Sequence, residues 1–185
     1  MTEDIEKVAF PVTYIPNFIP NSDMVFDDLW NQLDWERRTR RREYWTNEFN
    51  RPYSYSKNLG VRTYEARPTH PRIEEVKAAL KVYLGFEYEG CFLNGYETNR
   101  DALGHHSDDD TGIDHDYPIA VVTVGQARKI EFMELATLKT GSQLLEGGSL
   151  LLMHAGMQQT HTHAIPKSGH NHMKSRVSLT FRKLK

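Results

Sequence analysis
A single cysteine, Cys91, leaves this 185-residue chain unable to form an internal disulfide, so its stability has to come from a packed core. A chain of this length can build that core as one domain. No apolar run approaches the roughly 20 residues needed to cross a bilayer. Met1–Lys7 is acidic and polar and lacks the apolar segment of a secretory signal. With the lone cysteine, these absences predict an intracellular protein, cytoplasmic or nuclear, with no membrane partner. Excess positive charge is missing as well: 23 Lys and Arg against 25 Asp and Glu give a formal net charge of −2. That excludes capture of a polyanion through a general positive field and restricts any such binding to local patches. Linkers, repeats and low-complexity tracts are also absent, which predicts a single domain over 1–185.

The residues present read as an α+β fold. Asn21 or Ser22 can cap a helix whose apolar stripe is Val25, Leu29 and Leu33. Pro71 suits a first helical turn, and Ile73, Val76, Leu80, Tyr83 and Leu84 continue a second stripe that stops at Gly85. Residues 36–68 hold few aliphatics and many Arg, Tyr, Asn and Pro, so they predict long loops with short strands. From Gly90 onward the pattern turns to strands at Cys91–Tyr96, Ile119–Val124, Lys129–Met133, Ser149–Met153 and Val177–Phe181, with Gly125-Gln126 turning the second into the third. The expected architecture is two N-terminal helices on a β-rich half, about 90–185, built as a sandwich or barrel.

His106-Ser107-Asp108 sets an imidazole and a carboxylate two positions apart, on one side of an extended segment. His163, within Thr160–Pro166, is the candidate third ligand. Two histidines and one carboxylate suit a facial non-haem iron(II) site with positions left open. His105 competes with His106, His161 competes with His163, and zinc competes with iron.

The chain closes on Arg176-Val177-Ser178-Leu179-Thr180-Phe181-Arg182. As a strand this puts Arg176, Ser178, Thr180 and Arg182 on one face and the apolar residues on the other. Two arginines inside a small barrel require anions, and a dicarboxylate such as 2-oxoglutarate supplies them. An edge strand with its arginines in solvent is the other reading. A further basic cluster, Arg37, Arg38, Arg40, Arg41 and Arg42, precedes Tyr44, Trp45, Arg51, Tyr53 and Tyr55. Basic residues interleaved with aromatics suit phosphate contact and base stacking, and a solvated charged segment is the bland alternative.

Taken in order, these pieces resemble the AlkB dioxygenases: Asn94-Gly95-Tyr96, His106-Ser107-Asp108-Asp109-Asp110, Ile119–Gly125 with Arg128, Gly148–Met153, His163–Lys167 and Arg176–Arg182. The likeness covers about Pro52 to Lys185. It implies a double-stranded β-helix (jelly roll) that holds Fe(II) through His106, Asp108 and His163. It implies 2-oxoglutarate on Arg176, with Asn94, Tyr96, Ser178 and Arg182 lining the site and O2 as the second cosubstrate. Ser178 departs from the asparagine often found there and has a shorter reach. A nucleotide-recognition lid at about 36–68 would use Trp45, Tyr53 and Tyr55 on the base and Arg40, Arg41 and Arg42 on the strand, while Asp109 or Asp110 meets the base edge. The implied activity is oxidative demethylation of N-alkylated bases in DNA or RNA, in repair or base modification, with release of formaldehyde, succinate and CO2. The implied partner is a single strand bound by a monomer. A protein or small-molecule hydroxylase on the same fold, or a non-catalytic metal- or nucleic-acid-binding module, are the alternatives.

Overall fold
The computed structural model describes residues 9–57, 60–108 and 111–185. In chain order the elements are β1 (Val12–Ile15), α1 (Ser22–Gln32), β2 (Arg42–Asn47), β3 (Tyr53–Lys57), β4 (Gly60–Tyr64), α2 (Pro71–Leu84), β5 (Gly90–Tyr96), β6 (Leu103–His106), β7 (Ile119–Gly125), β8 (Arg128–Glu134), β9 (Thr140–Leu145), β10 (Leu150–Met153), α3 (Met157–Thr160), β11 (His161–Ile165) and β12 (Arg176–Arg182).

Both long helices fall where their stripes place them. In α1, Val25 and Leu29 are buried, while Leu33 turns extended and caps the C-terminus. Asn21 stands at the N-cap without a side-chain capping bond; its amide donates instead to Glu75 of α2, 2.6 Å away. In α2 the His70 side chain accepts from the Arg72 amide, Pro71 opens the first turn, and Gly85 ends the helix at φ 80°, a left-handed conformation that glycine adopts without steric cost. Among the described residues, no helix is long and apolar enough to cross a membrane.

The strands form a six-stranded sheet, β1-β10-β7-β12-β5-β2, and a four-stranded sheet, β6-β11-β8-β9, with β3–β4 as a separate ribbon. Together they make the jelly roll. Gly125-Gln126 does turn the chain, but the flanking strands are not a hairpin: β7 lies in the larger sheet and β8 in the smaller. The turn carries the chain from one layer to the other. Gly125 sits at φ 85°, and a Cβ there would lie 2.6 Å from the Ser175 carbonyl oxygen.

Strand pleating divides the large sheet into two faces. Leu93, Ala120, Val122, Val124, Leu150, Val177, Leu179 and Phe181 face the helices and pack with Leu29, Ile73, Val76 and Leu80. Each fully buried Val, Leu, Ile or Phe among them contributes about 1.5–3 kcal/mol. The opposite face supplies Tyr96, Ile119, Val121, Leu151 and Met153 to a second core, shared with Ile130, Phe132 and Leu145 of the small sheet. A third cluster, Trp45, Tyr64 and Phe92 with Tyr53 and Leu184 against it, ties the ribbon to the large sheet. Within the expected 36–68 lid, Arg42–Asn47 is the sheet's edge strand, paired along its length with β5.

Candidate metal centre and cleft
His106 ends β6, Asp108 follows two residues later, and His163 is the middle residue of β11. His163 and His106 are direct partners across the β11–β6 pairing, with ring centroids 4.3 Å apart. One ligand atom from each of His106, Asp108 and His163 lies within 4.8 Å of the others, and all three residues are buried. The competing histidines stand outside this cluster. His105 is exposed and bonds to Thr162 Oγ1 at 3.1 Å, and His161 meets Thr160 Oγ1 and the edge of Phe10.

The electrostatics favour a bound cation. His106 Nδ1 is 2.8 Å from the Gly104 carbonyl oxygen. That oxygen can only accept, so the proton sits on Nδ1, and Nε2 faces Asp108 Oδ1 at 3.6 Å. Burial, with His106 beside it, pushes the His163 pKa down to about 3, so its imidazole is neutral and able to ligate. Its Nδ1 is buried without a protein partner. Burial alone would raise the Asp108 pKa, but Arg182, His163 and His106 pull it below the usual carboxylate range. The neutral His163 imidazole, the ring nitrogen of His106 that faces Asp108 and one ionised carboxylate make a donor set for a divalent metal such as iron(II).

β12 runs beside this cluster, every residue of it buried. Arg176 donates from Nη2 to Thr123 Oγ1 at 2.9 Å and lies 5.1 Å from the Tyr96 ring centre. Burial lowers its pKa to about 10, which still leaves it charged at neutral pH. Arg182 donates from Nη2 to Asp108 Oδ2 at 2.9 Å. In both arginines Nε and Nη1 are buried with no protein partner among the described residues. Unmade buried bonds of this kind cost about 1–3 kcal/mol each, more when the group is charged. The β12–β5 register sets Arg176 opposite Tyr96 and Ser178 opposite Asn94, so the residues expected around 2-oxoglutarate share one wall.

Residues 12–182 match the 2OG-Fe(II) oxygenase superfamily. The chain belongs to that superfamily. Its members use iron(II), 2-oxoglutarate and dioxygen, and the buried cluster and unspent arginine donors fit that requirement. Within the superfamily the sequence aligns with AlkB proteins. It is 27% identical over 193 residues to alpha-ketoglutarate-dependent dioxygenase alkB homolog 3 of Homo sapiens, covering 92% of this chain and 65% of that protein. It is 29% identical over 130 residues to DNA oxidative demethylase ALKBH2 of Bos taurus, covering 66% of this chain and 46% of the relative. The chain thus spans just under two thirds of the alkB homolog 3 and under half of ALKBH2. Among solved structures, OsALKBH1 superimposes with a TM-score of 0.64 at 13% identity, covering 95% of this chain and 99% of that one. A Pseudomonas putida prolyl-4-hydroxylase gives 0.58 at 15% identity, covering 96% and 95%. At these identities the likeness concerns the fold.

Next to the metal cluster, this oxygenase has an open cleft whose walls include Tyr53, Tyr64, Phe92, Asn94, Arg182 and the His106–Asp108 edge. Tyr53 lines it as expected. Trp45 does not: it is 2% exposed, donates from Nε1 to the Arg51 carbonyl at 2.8 Å, and packs on Tyr53 and Phe92. It is core beneath the cleft, because the pleat of β2 directs it against the ribbon. The arginine cluster also departs from expectation. Arg37 and Arg42 both bond Glu97 at 2.8 Å, and Arg38 pairs with Glu36. Arg42 stacks on Trp30 with 3.8 Å between guanidinium carbon and ring centre. Arg41 turns inward to Asn94, the Ala102 carbonyl and Glu43. Of the three expected on the strand, Arg40 alone is exposed with no ion pair among the described residues. Asp109, Asp110 and the Tyr55 side chain lie outside the described residues.

The sequence reading missed Glu43, Arg62, Tyr64 and Phe92 on the cleft wall. Glu43 is 2% exposed, and its carboxylate beside Tyr64 helps to raise the Tyr64 pKa. Its signal was the alternation Glu43, Trp45 on one face of an edge strand, legible only once β2 is known to pair with β5. Gln158, whose Oε1 accepts from the Asp108 amide at 2.9 Å, was also missed.

Proposed function
We propose that this chain is an iron(II)- and 2-oxoglutarate-dependent oxidative demethylase acting on N-alkylated bases in a single strand of DNA or RNA. The observation that carries this reading is one wall that sets a buried His-Asp-His cluster beside two buried arginines with unpartnered Nε and Nη1 groups. His106, Asp108 and His163 would hold iron(II). Arg176 would pair with the distal carboxylate of 2-oxoglutarate through its unspent donors, with Tyr96, Asn94 and Ser178 around it and Arg182 offering donors at the metal end. Bound there, iron, 2-oxoglutarate and dioxygen supply hydroxylation of the N-alkyl carbon, with release of formaldehyde, succinate and CO2. Residues 1–185 act as one catalytic domain, and the β3–β4 ribbon serves as the nucleotide-recognition lid. A base swung out of its strand would enter between Tyr53, Phe92 and Tyr64. The named activity of the ALKBH2 relative supports the nucleic-acid part of the reading. The setting is intracellular, cytoplasm or nucleus, and the working form a monomer.

Hydroxylation of a protein or small molecule is the second reading. The internal pairing of Arg37, Arg38, Arg41 and Arg42 and the net charge of −2 favour it. Mass spectrometry of methylated oligonucleotides incubated with the protein, iron, ascorbate and 2-oxoglutarate separates the two. The expected result is loss of the methyl group with matching succinate and formaldehyde. Succinate formed while every methylated strand stays intact would transfer the assignment to the second reading.

A further inference from the structure
We infer that Gln158 is a positioning residue for the metal centre, tying the backbone of Asp108 to the element that leads into His163. The inference rests on the metal role proposed above for His106, Asp108 and His163. The two histidines need no such tie, because the β6–β11 pairing sets them opposite each other. Asp108 lies beyond the end of β6, outside any strand. Among the described residues its carboxylate meets Arg182 and faces His106 Nε2, and its amide N–H donates to Gln158 Oε1 at 2.9 Å. Arg182 restrains the ligating end, whereas Gln158 restrains the backbone from which that end projects.

Gln158 is built for the task. It is 4% exposed and sits on α3, the single turn between β10 and β11. Its Nε2 donates to Met153 Sδ at 3.6 Å, so both ends of the amide are engaged. The Asp108 N–H demands an oxygen acceptor, and the thioether takes the NH2, which fixes the amide orientation. The Asp108 bond joins residues 50 apart in sequence, and it links the loop carrying the carboxylate to the chain segment carrying the third ligand. Removing the acceptor should let that loop drift from the position the imidazoles demand. Loss of a group that orients a metal ligand typically weakens metal affinity about 10–100-fold.

The test uses the metal-free full chain and cobalt(II) alone, titrated by visible absorption, with melting temperature measured beside it. Gln158→Met keeps bulk next to Met153 but offers no oxygen, and Gln158→Glu keeps the acceptor. Q158M should bind cobalt(II) about 10–100-fold more weakly with altered visible bands, and Q158E should return both close to the parent. If Q158M does not fold, Gln158→Asn, one methylene too short to reach, should show the same weakening. Parent-like affinity and bands in Q158M, or in Q158N where that replaces it, would overturn the inference, as would equal weakening in Q158E, which would reduce Gln158 to packing. A parent that binds no cobalt(II) would instead sink the metal reading of the triad, a result distinct from an unchanged variant.

Discussion
Arg176 and Arg182 on β12 are buried to 1% and 5% exposure, and each keeps two nitrogens without a protein partner among the described residues. The arginines of the 37–42 segment are denser and nearer the surface, yet most are matched by the protein itself. Glu97 takes Arg37 and Arg42, Glu36 takes Arg38, and Asn94, Glu43 and the Ala102 carbonyl take Arg41. Arg42 does keep a buried Nε unbonded, but its other nitrogens reach the Trp30 carbonyl and Glu97. Density of positive charge is therefore a poor guide to which donors stay unpaired. Buried donors without a protein partner among the described residues are the better place to look for a ligand, since leaving them unmade is costly.

The sharpest way to break this contrast is at Asp108. Asp108→Ala should abolish succinate formation and also strand the Arg182 charge, at a cost of about 3–5 kcal/mol in stability. Asp108→Asn should abolish turnover with much less loss of melting temperature. Turnover retained in both variants would remove Asp108 from the site. Next comes Arg176→Ala, which should raise the 2-oxoglutarate requirement by an amount equivalent to about 2–5 kcal/mol. Arg176→Lys should recover only part of this, because a point charge cannot replace the planar fork. A succinate assay across 2-oxoglutarate concentrations decides, and an unchanged requirement would show that the unspent donors bind something else.

The two aromatics of the cleft region should separate in the same manner. Trp45→Ala should cost about 3–5 kcal/mol in denaturant unfolding, as expected for a buried ring. Tyr53→Ala should cost less stability than Trp45→Ala, because Tyr53 is only partly buried against the same cluster, and should weaken binding of a methylated single strand by about 1–3 kcal/mol. The smallest effect is at Glu97. Its pKa is lowered to about 2 by hydrogen bonds from Arg37 and Arg42. A depressed carboxylate contributes stability above its ordinary value of 4.5, and that contribution is lost as the pH falls toward 2. Glu97→Gln should therefore flatten acid destabilisation between those limits. The size should stay below about 1 kcal/mol because the side chain is one-third exposed. Denaturant curves at neutral and acid pH measure it, and identical acid slopes would mean the pairing contributes nothing.

Much of this was legible from local pattern. Gly85 as a helix stop, the split of β12 into an apolar and a polar face, and the two-residue spacing of His106 and Asp108 each follow from periodicity or from one residue's backbone preference. Relations between distant segments were not legible. Nothing local marks Arg42–Asn47 as an edge strand of the main sheet, because its pattern is set by β5, some fifty residues further on. The same pairing turns Trp45 into core and places Glu43 on the cleft wall.

By itself, then, the amino-acid order determined the chemical inventory: an imidazole-carboxylate pair at strand spacing, further histidines, a strand with arginines on one face, and a basic aromatic stretch. Short-range sterics and the fixed periods of helix and strand suffice for that. Tertiary structure decided which copies of each residue type meet. It chose His106 and His163 over His105 and His161 by the β6–β11 register. It spent the donors of Arg41 while leaving those of Arg176 open, and it set Gln158 under Asp108. Whether a hydrogen-bonding group is satisfied depends on neighbours brought near by sheet pairing across long stretches of chain, and the sequence next to a residue carries no record of them.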